Sequence, residues 1–264
     1  MSRYISVFLA VVRDRFRNEK AYMGNMLAET ASTVVYVLTY LAFINLLFAK
    51  IGSLAGYSRN DILFMMLMGQ FTYYLYASVL LSTMYKIISS VRSGEFDFIL
   101  LRPINKLFYL YSYSIRPFTM IMISLPNLIL LSFLIDWPAL NLSLWSVVAG
   151  LICWTCAVLI INTVNFVLTY PVFTKGDSTD LLNTSYAMFA INEIPYEKLS
   201  KPLKVLSFSV IPSLLASSGA TYVILQKGPI MSIMFWSVVV AVVSLIIFKL
   251  LWTKAMANYA SASS

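Results

Sequence analysis

Long apolar runs separated by short polar stretches are the main pattern along the 264-residue chain. A helix needs about 20 mostly apolar residues to cross the roughly 30 Å of hydrocarbon in a bilayer. The pattern therefore predicts an all-α, polytopic membrane protein with six transmembrane helices. The predicted spans are Met26–Phe48, Ile62–Tyr85, a third from Arg116 to about Ile135, Leu142–Val172, a short fifth at Leu181–Ile194, and Ile230–Trp252.

Arg116 sets the start of the third span. The apolar run begins earlier, at Leu107, but an arginine at mid-depth costs roughly 2.5–3.5 kcal/mol on insertion scales. Residues 107–115 are therefore predicted to form an interfacial helical lead-in. Pro126, inside the span, predicts a kink, because proline removes a backbone donor.

The first 24 residues have an amphipathic pattern. Their apolar side chains share one side of a helical wheel, and Arg13, Asp14 and Arg17 occupy the other. This pattern predicts a helix lying in the lipid headgroup region. Residues 25–264 then form the six-span domain.

Residues 195–228 are apolar but interrupted, notably by Pro212 and Gly219. They follow an unusually short predicted span. Together these features predict a broken helical region that enters the outer leaflet and returns before the last span. Such backbone is tolerated only where it packs on protein or lines a cavity.

A polar stretch at residues 86–106 separates the second and third spans. Gly94 is predicted to end one helix, because glycine favours the left-handed backbone found just past a helix end. Glu95 and Asp97 fall in the first turn of a second short helix, where the helix dipole favours acids. Arg102, followed by a proline, ends that helix. The stretch is predicted to form two short helices at the membrane surface; an ordinary loop is the alternative.

Composition excludes several classes of function. The chain is 60% hydrophobic and 11% charged, against about 25% charged in soluble domains, so it is an integral membrane protein. It has no histidine, which removes most zinc and histidine-dependent catalytic schemes. It has no G-x-x-x-x-G-K-[ST] motif with which to bind nucleotide phosphates. Cys153 and Cys156 lie within an apolar run, so we expect helix packing there and no metal site.

Four polar residues inside predicted spans are candidates for a substrate pathway: Glu29, Gln70, Asn162 and Asn165. Polar groups in hydrocarbon are costly and therefore mark candidate functional sites. Hydrogen bonding between neighbouring helices is the structural alternative for the two asparagines. A helix contact near the interface is the alternative for Glu29.

Basic residues predict the orientation of the chain. With six spans, thirteen of the 19 lysines and arginines fall on the side of the termini and of residues 86–106. Because cytoplasmic loops carry an excess of basic residues, both termini are predicted to be cytoplasmic, in the inner membrane of the cell. The net charge of +8 is accounted for in this way, and no nucleic-acid partner is expected.

One string within the 86–106 stretch resembles a family signature. Residues Arg92 to Pro103 read RSGEFDFILLRP, and the G-E-x-D-x-x-L-x-R-P core is similar to the cytoplasmic signature of type-two ATP-binding-cassette (ABC) transporter permeases. The order of predicted elements agrees over nearly the whole chain. Residues 217–221 lack a proline that relatives often have there.

This resemblance implies a non-catalytic permease subunit of an exporter that pairs with a second, identical or related permease and with separate ATPase subunits. ATP and Mg²⁺ would bind to those subunits. The segment between the second and third spans would be a coupling helix docked on the ATPase. The implied contact residues are Val91, Arg92, Gly94, Glu95, Phe96, Asp97, Phe98 and Arg102. A self-contained carrier or channel, and a membrane-embedded scaffold, remain alternatives.

Overall fold

The computed structural model describes residues 2–21, 23–189 and 194–259, and its regular elements are helices apart from one bridge between Leu54 and Tyr57. The helices are α1 (Ser2–Lys20), α2 (Met23–Phe48), α3 (Arg59–Ser93), α4 (Phe96–Leu100), α5 (Lys106–Ser114), α6 (Pro117–Leu134), α7 (Leu144–Lys175), α8 (Thr179–Asn183), α9 (Lys201–Ser207), α10 (Pro212–Ile224) and α11 (Ile230–Asn258). Three short 3₁₀ segments lie at Pro138–Leu140, Thr184–Phe189 and Tyr196–Lys198.

Five of these helices are long and apolar enough to cross a membrane: α2, α3, α6, α7 and α11. They coincide with the predicted first, second, third, fourth and last spans. The prediction at Arg116 is confirmed, because α5 ends at Ser114 and α6 starts at Pro117. The chain is therefore a multi-pass membrane protein.

The prediction of the fifth span is wrong in its form. The described residues of this range form the last turn of α8 and a 3₁₀ segment, and residues 190–193 lie outside the described part of the chain. The pair α9 and α10 meets at an angle of 91°, the geometry of a broken span or of a re-entrant loop. The region 195–228 is broken as predicted. Its helix α10 also supplies the second half of the chain's return across the bundle between α7 and α11.

The packing of α7 against α11 shows that the segment between them crosses the bundle once. The Thr163 hydroxyl lies 3.3 Å from the Ser244 carbonyl, and further along the chain Phe173, near the end of α7, packs on Tyr259, which directly follows α11. Residue numbers thus increase in the same direction in both helices, so α7 and α11 are parallel. The chain must therefore return from the end of α7 to the opposite end of the bundle before α11 begins.

This crossing is made in two pieces. The first piece starts at the end of α7, where the Tyr85 hydroxyl contacts Asn183, and continues to Phe189, which packs on Tyr76 (4.6 Å between ring centroids). The second piece is α10, whose last residue Ile224 packs against Gly150 near the start of α7. A hydrogen bond from the Ser213 hydroxyl to the Met188 carbonyl joins the two pieces.

Two π-helical turns free backbone carbonyls for contacts between helices. One, at Tyr76–Leu81 in α3, leaves the Ser78 carbonyl to accept the Arg116 amide at 3.1 Å. The other, at Met120–Ser124 in α6, ends two residues before Pro126. Since proline has no amide hydrogen for the carbonyl four residues earlier, the Met122 carbonyl is open to the Thr30 hydroxyl of α2 at 3.1 Å, and that hydroxyl shares its hydrogen with the Met26 carbonyl of its own helix at 2.8 Å.

Helix α1 packs on protein along its inner side. The Arg15 guanidinium lies 3.6 Å from the centroid of the Tyr113 ring. The Glu19 carboxylate accepts the amides of Phe118 and Thr119 at 2.9 and 3.0 Å, and so caps the start of α6. The sequence predicted the amphipathic helix but not this cap, because the partners are about a hundred residues apart.

Replacing Glu19 with glutamine is expected to loosen α1 from α6. Loss of a charged cap at a helix N-terminus costs about 1–2 kcal/mol, so local opening should become roughly tenfold more frequent. Trypsin should then cut between Arg13 and Lys20 faster in E19Q than in the parent. D14N, at an exposed position of the same helix, is the matched control. Equal cleavage rates for E19Q and the parent would contradict the capping role.

Candidate docking surface

The 86–106 segment has the two-helix form that the sequence predicts. Helix α3 ends at Ser93, and Gly94 adopts a left-handed conformation (φ 75°) that turns the chain. Helix α4 follows at once and ends before Arg102. Glu95 occupies the N-cap position of α4, but its side chain does not cap the helix. The carboxylate instead forms an ion pair with Lys86 at 2.9 Å.

One side of α4 is buried against the ends of two spanning helices. Phe96 is fully buried and packs on Phe173 of α7 and on Tyr259 after α11, with ring centroids 5.7 and 5.0 Å away. Ile99 and Val91 are buried as well. Phe96 and Val91 were both predicted to contact a partner. Within this chain Phe96 packs in the aromatic cluster and Val91 lines a cleft beside Arg92, and their contact with a partner stays a prediction.

The opposite side of α4 presents two large apolar side chains. Phe98 is 67% exposed and Leu101 is 80% exposed. Arg102 lies beside them, with its guanidinium 4.4 Å from the Tyr109 ring centroid. Leu101 was not among the predicted contact residues, although its apolar character next to Arg102 is visible in the sequence. Two exposed apolar groups, one on a five-residue helix and one just after it, with charged neighbours are typical of a protein-contact surface.

The turn after α7 belongs to the same surface. Arg92 forms an ion pair with Asp177 at 3.0 Å, and both side chains are about half exposed. Hydrogen bonds from Thr179 lower the pKa of the Asp177 carboxyl, and the nearby Arg92 cation contributes in the same direction. The sequence placed Asp177 in a separate polar turn. The structure joins that turn to the 86–106 segment.

A cleft of about 380 Å³ lies between the two turns, lined by Val91, Arg92, Phe173, Gly176 and Tyr259 among others. Burial and the neighbouring Asp97 carboxylate raise the pKa of Tyr259 to about 12. Sequence reasoning missed Phe173 and Tyr259, because no local signal links residues so distant in the chain.

The four predicted pathway residues lie in different environments. Asn162 accepts a hydrogen bond from the Tyr111 hydroxyl of α5 at 2.5 Å, which is the helix-contact role that the sequence left open. Asn165 is fully buried and donates to the Ile161 carbonyl of its own helix at 2.7 Å. Gln70 is buried, and Glu29 is exposed on α2. No hydrogen bond or ion pair joins these four side chains within the described residues.

The geometry provides no metal centre among the described residues, since no group of three or more potential ligands comes together there. The recognisable features are the bundle of apolar helices and the anchored α4 surface.

The family model described as ABC-2 family transporter protein matches residues 34–263. No curated protein and no solved structure matches the chain. Because the match covers most of the chain, the protein belongs to the ABC-2 transporter family. It is a non-catalytic, membrane-embedded permease subunit of an ABC transporter.

Proposed function

We propose that the chain is the permease subunit of an ATP-driven exporter and that α4 docks on a separate ATPase subunit, which binds ATP and Mg²⁺. The observation that carries this proposal is the exposure of Phe98 on α4 and of Leu101 at its C-terminal end, while the other side of the helix is anchored in the bundle. An apolar pair that is held rigidly outside the bundle is suited to a pocket on a folded partner.

The anchoring of α4 supports a coupling role. Phe96 contacts the ends of α7 and α11 through Phe173 and Tyr259, and Gly94 links α4 directly to α3. A displacement of α4 by the ATPase would therefore act on three spanning helices together. Closure of two ATPase subunits would in this way change the packing of the whole bundle.

A second permease copy completes the proposed pathway. Helix α2 leaves Ala28, Ala31 and Ser32 exposed, and small residues allow close approach of helices in a membrane. Glu29 lies among them, so an intermolecular contact there would place this carboxylate between the subunits. Disulfide formation by S32C in membranes supports this contact, and a purified active complex with one permease copy refutes it.

Co-expression with the ATPase subunit tests the proposed function. The permease should retain the ATPase through affinity purification, and the complex should hydrolyse ATP faster than the ATPase alone. A self-contained carrier or channel would instead move substrate without an ATPase. Transport by the purified chain alone in vesicles, with no effect of ATP, would overturn the proposal in favour of that alternative.

The proposed orientation places Arg92 in the cytoplasm and Lys198 outside. The basic-residue bias supports it, as does the packing of Tyr259 on Phe96, which puts the C-terminal end of α11 beside the 86–106 segment. In intact cells, a membrane-impermeant maleimide should label K198C and leave R92C unlabelled, in a background without the two native cysteines. Labelling of R92C in intact cells would reverse the orientation.

A further inference from the structure

A groove between α3 and α6 is not used by any role described so far. Its volume is about 350 Å³. Helix α3 contributes Phe71, Tyr74 and Leu75, and α6 contributes six residues of one face: Pro117, Met120, Ile121, Ser124, Leu125 and Leu128. The lining is apolar apart from the hydroxyls of Tyr74 and Ser124.

The dimensions of the groove match one lipid leaflet. Its α6 lining runs from residue 117 to residue 128, which is about 16 Å at 1.5 Å per residue. Half of a hydrocarbon core of about 30 Å is about 15 Å. The groove also opens at the bundle surface, since Ile121 and Leu125 are each 47% exposed. An extended acyl chain therefore fits its length and its chemistry.

A cation lies at the end of the groove nearest α1. Arg116 directly precedes Pro117, and its side chain is 44% exposed. Its Nε is 3.8 Å from one oxygen of Glu19, whose other oxygen accepts the Phe118 and Thr119 amides. A guanidinium has five N–H donors, so one long contact leaves donors available for a phosphate. Exposed Lys20 adds a second positive charge beside Glu19.

We propose that this groove is a binding site for an anionic glycerophospholipid from the leaflet on the 86–106 side. One acyl chain occupies the groove between α3 and α6, and the headgroup phosphate binds at Arg116. The combination of an apolar channel one leaflet deep with a cation at its surface end carries the assignment. It does not depend on ATPase coupling, so it stands or falls separately from the proposed function.

A second groove on the bundle provides a matched control. It has a volume of about 310 Å³ and is lined by Val148, Leu151, Ile152, Thr155 and Cys156 of α7. The chain has no lysine or arginine between Arg116 and Lys175, so no basic residue of α7 adjoins it. A lipid that binds by fit and charge should prefer the first groove.

Native mass spectrometry of the purified full-length protein tests the proposal, with phosphatidylglycerol and phosphatidylcholine of identical acyl chains as probes. The parent should retain phosphatidylglycerol with about a fivefold preference, the effect of one basic residue near a lipid surface. I121W, which fills the groove, should lose the bound lipid, whereas I152W in the control groove should keep it. R116K should keep the preference, and R116Q should lose it.

Each contrary result is informative. Equal retention of both lipids by the parent, or retention by I121W at the parent level, would overturn the proposal. A change of oligomeric state in I121W without loss of lipid would assign the groove to a second copy of the chain. If a transported compound displaces the lipid, and R116Q prefers phosphatidylglycerol as strongly as the parent does, the groove belongs to the substrate pathway. Monodisperse elution of every variant establishes that each one folds.

Discussion

Replacing Phe98 and Leu101 together by aspartate is expected to abolish association with the ATPase subunit. Both side chains are mostly exposed, so the substitutions leave the bundle intact. Truncating an interface hot spot costs about 2 kcal/mol or more, and two charges would additionally have to be desolvated at the contact. We expect the dissociation constant to rise by at least about a hundredfold, measured with purified subunits, and stimulated ATP hydrolysis to disappear.

The matched control uses an exposed apolar pair elsewhere. Ile5 and Leu9 of α1 are 58% and 60% exposed, and the double change I5D with L9D should bind the ATPase like the parent. If F98D with L101D also binds like the parent, α4 is not the docking element. If both double variants lose binding equally, the loss reports general disturbance of the membrane domain.

Replacing Phe96 by alanine is expected to lower the stability of the membrane domain, which the changes at Phe98 and Leu101 leave intact. Phe96 is fully buried against Phe173 and Tyr259, and a Phe-to-Ala change in a core typically costs about 3–5 kcal/mol. We expect a clearly lower midpoint of thermal unfolding in detergent, and loss of coupling because α4 is no longer fixed.

F98A provides the comparison for that measurement. It should lose ATPase affinity while retaining the thermal stability of the parent, because Phe98 contributes little to the core. F96L should recover much of the stability lost in F96A, since leucine refills most of the volume. Parent-like stability of F96A would show that the aromatic cluster does not anchor α4.

Charge reversal at the two acids of the 86–106 segment tests docking on the ATPase only indirectly. Glu95 pairs with Lys86, and Asp97 lies near Tyr259. Charge reversal at either position therefore disturbs internal contacts as well as any partner contact. A charge reversal at Asp177 would also break an ion pair, the one with Arg92. Asp180, exposed in the first turn of α8, is the better position for a control reversal.

Local features of the fold were accessible from sequence because local physics produces them. Gly94 ends α3 because its left-handed backbone suits glycine, and Arg116 marks the start of α6 because a buried cation is costly in lipid. The apolar runs defined five spans for the same reason. Each of these predictions depends on neighbouring residues only.

Features that depend on distant contacts were not accessible. The cap that Glu19 places on α6, the pair of Arg92 with Asp177, and the contact of Phe96 with Tyr259 each join residues far apart in the chain. The side of α4 on which Phe96 lies was also not predictable, because an apolar residue in a short helix can face either the bundle or a partner. Only the packing shows that Phe96 points inward and Phe98 outward.

The short fifth apolar run illustrates the same limit. Fourteen or so residues are too few for a full crossing, yet the apolar run at Leu181–Ile194 was predicted as a span. That α10 supplies the other half follows only from the parallel packing of α7 and α11. The join between Ser213 and Met188 has no counterpart in periodicity or composition.

Cross-linking from position 101 tests the central claim most directly. A photoreactive amino acid in place of Leu101, in cells that express both subunits, should give a covalent product with the P-loop ATPase. The same probe in place of Leu245, exposed on α11, should not. We expect the Leu101 cross-link to form in the parent and to weaken in the F96A variant. Products with lipid alone from both positions, in a complex that still transports, would contradict this expectation.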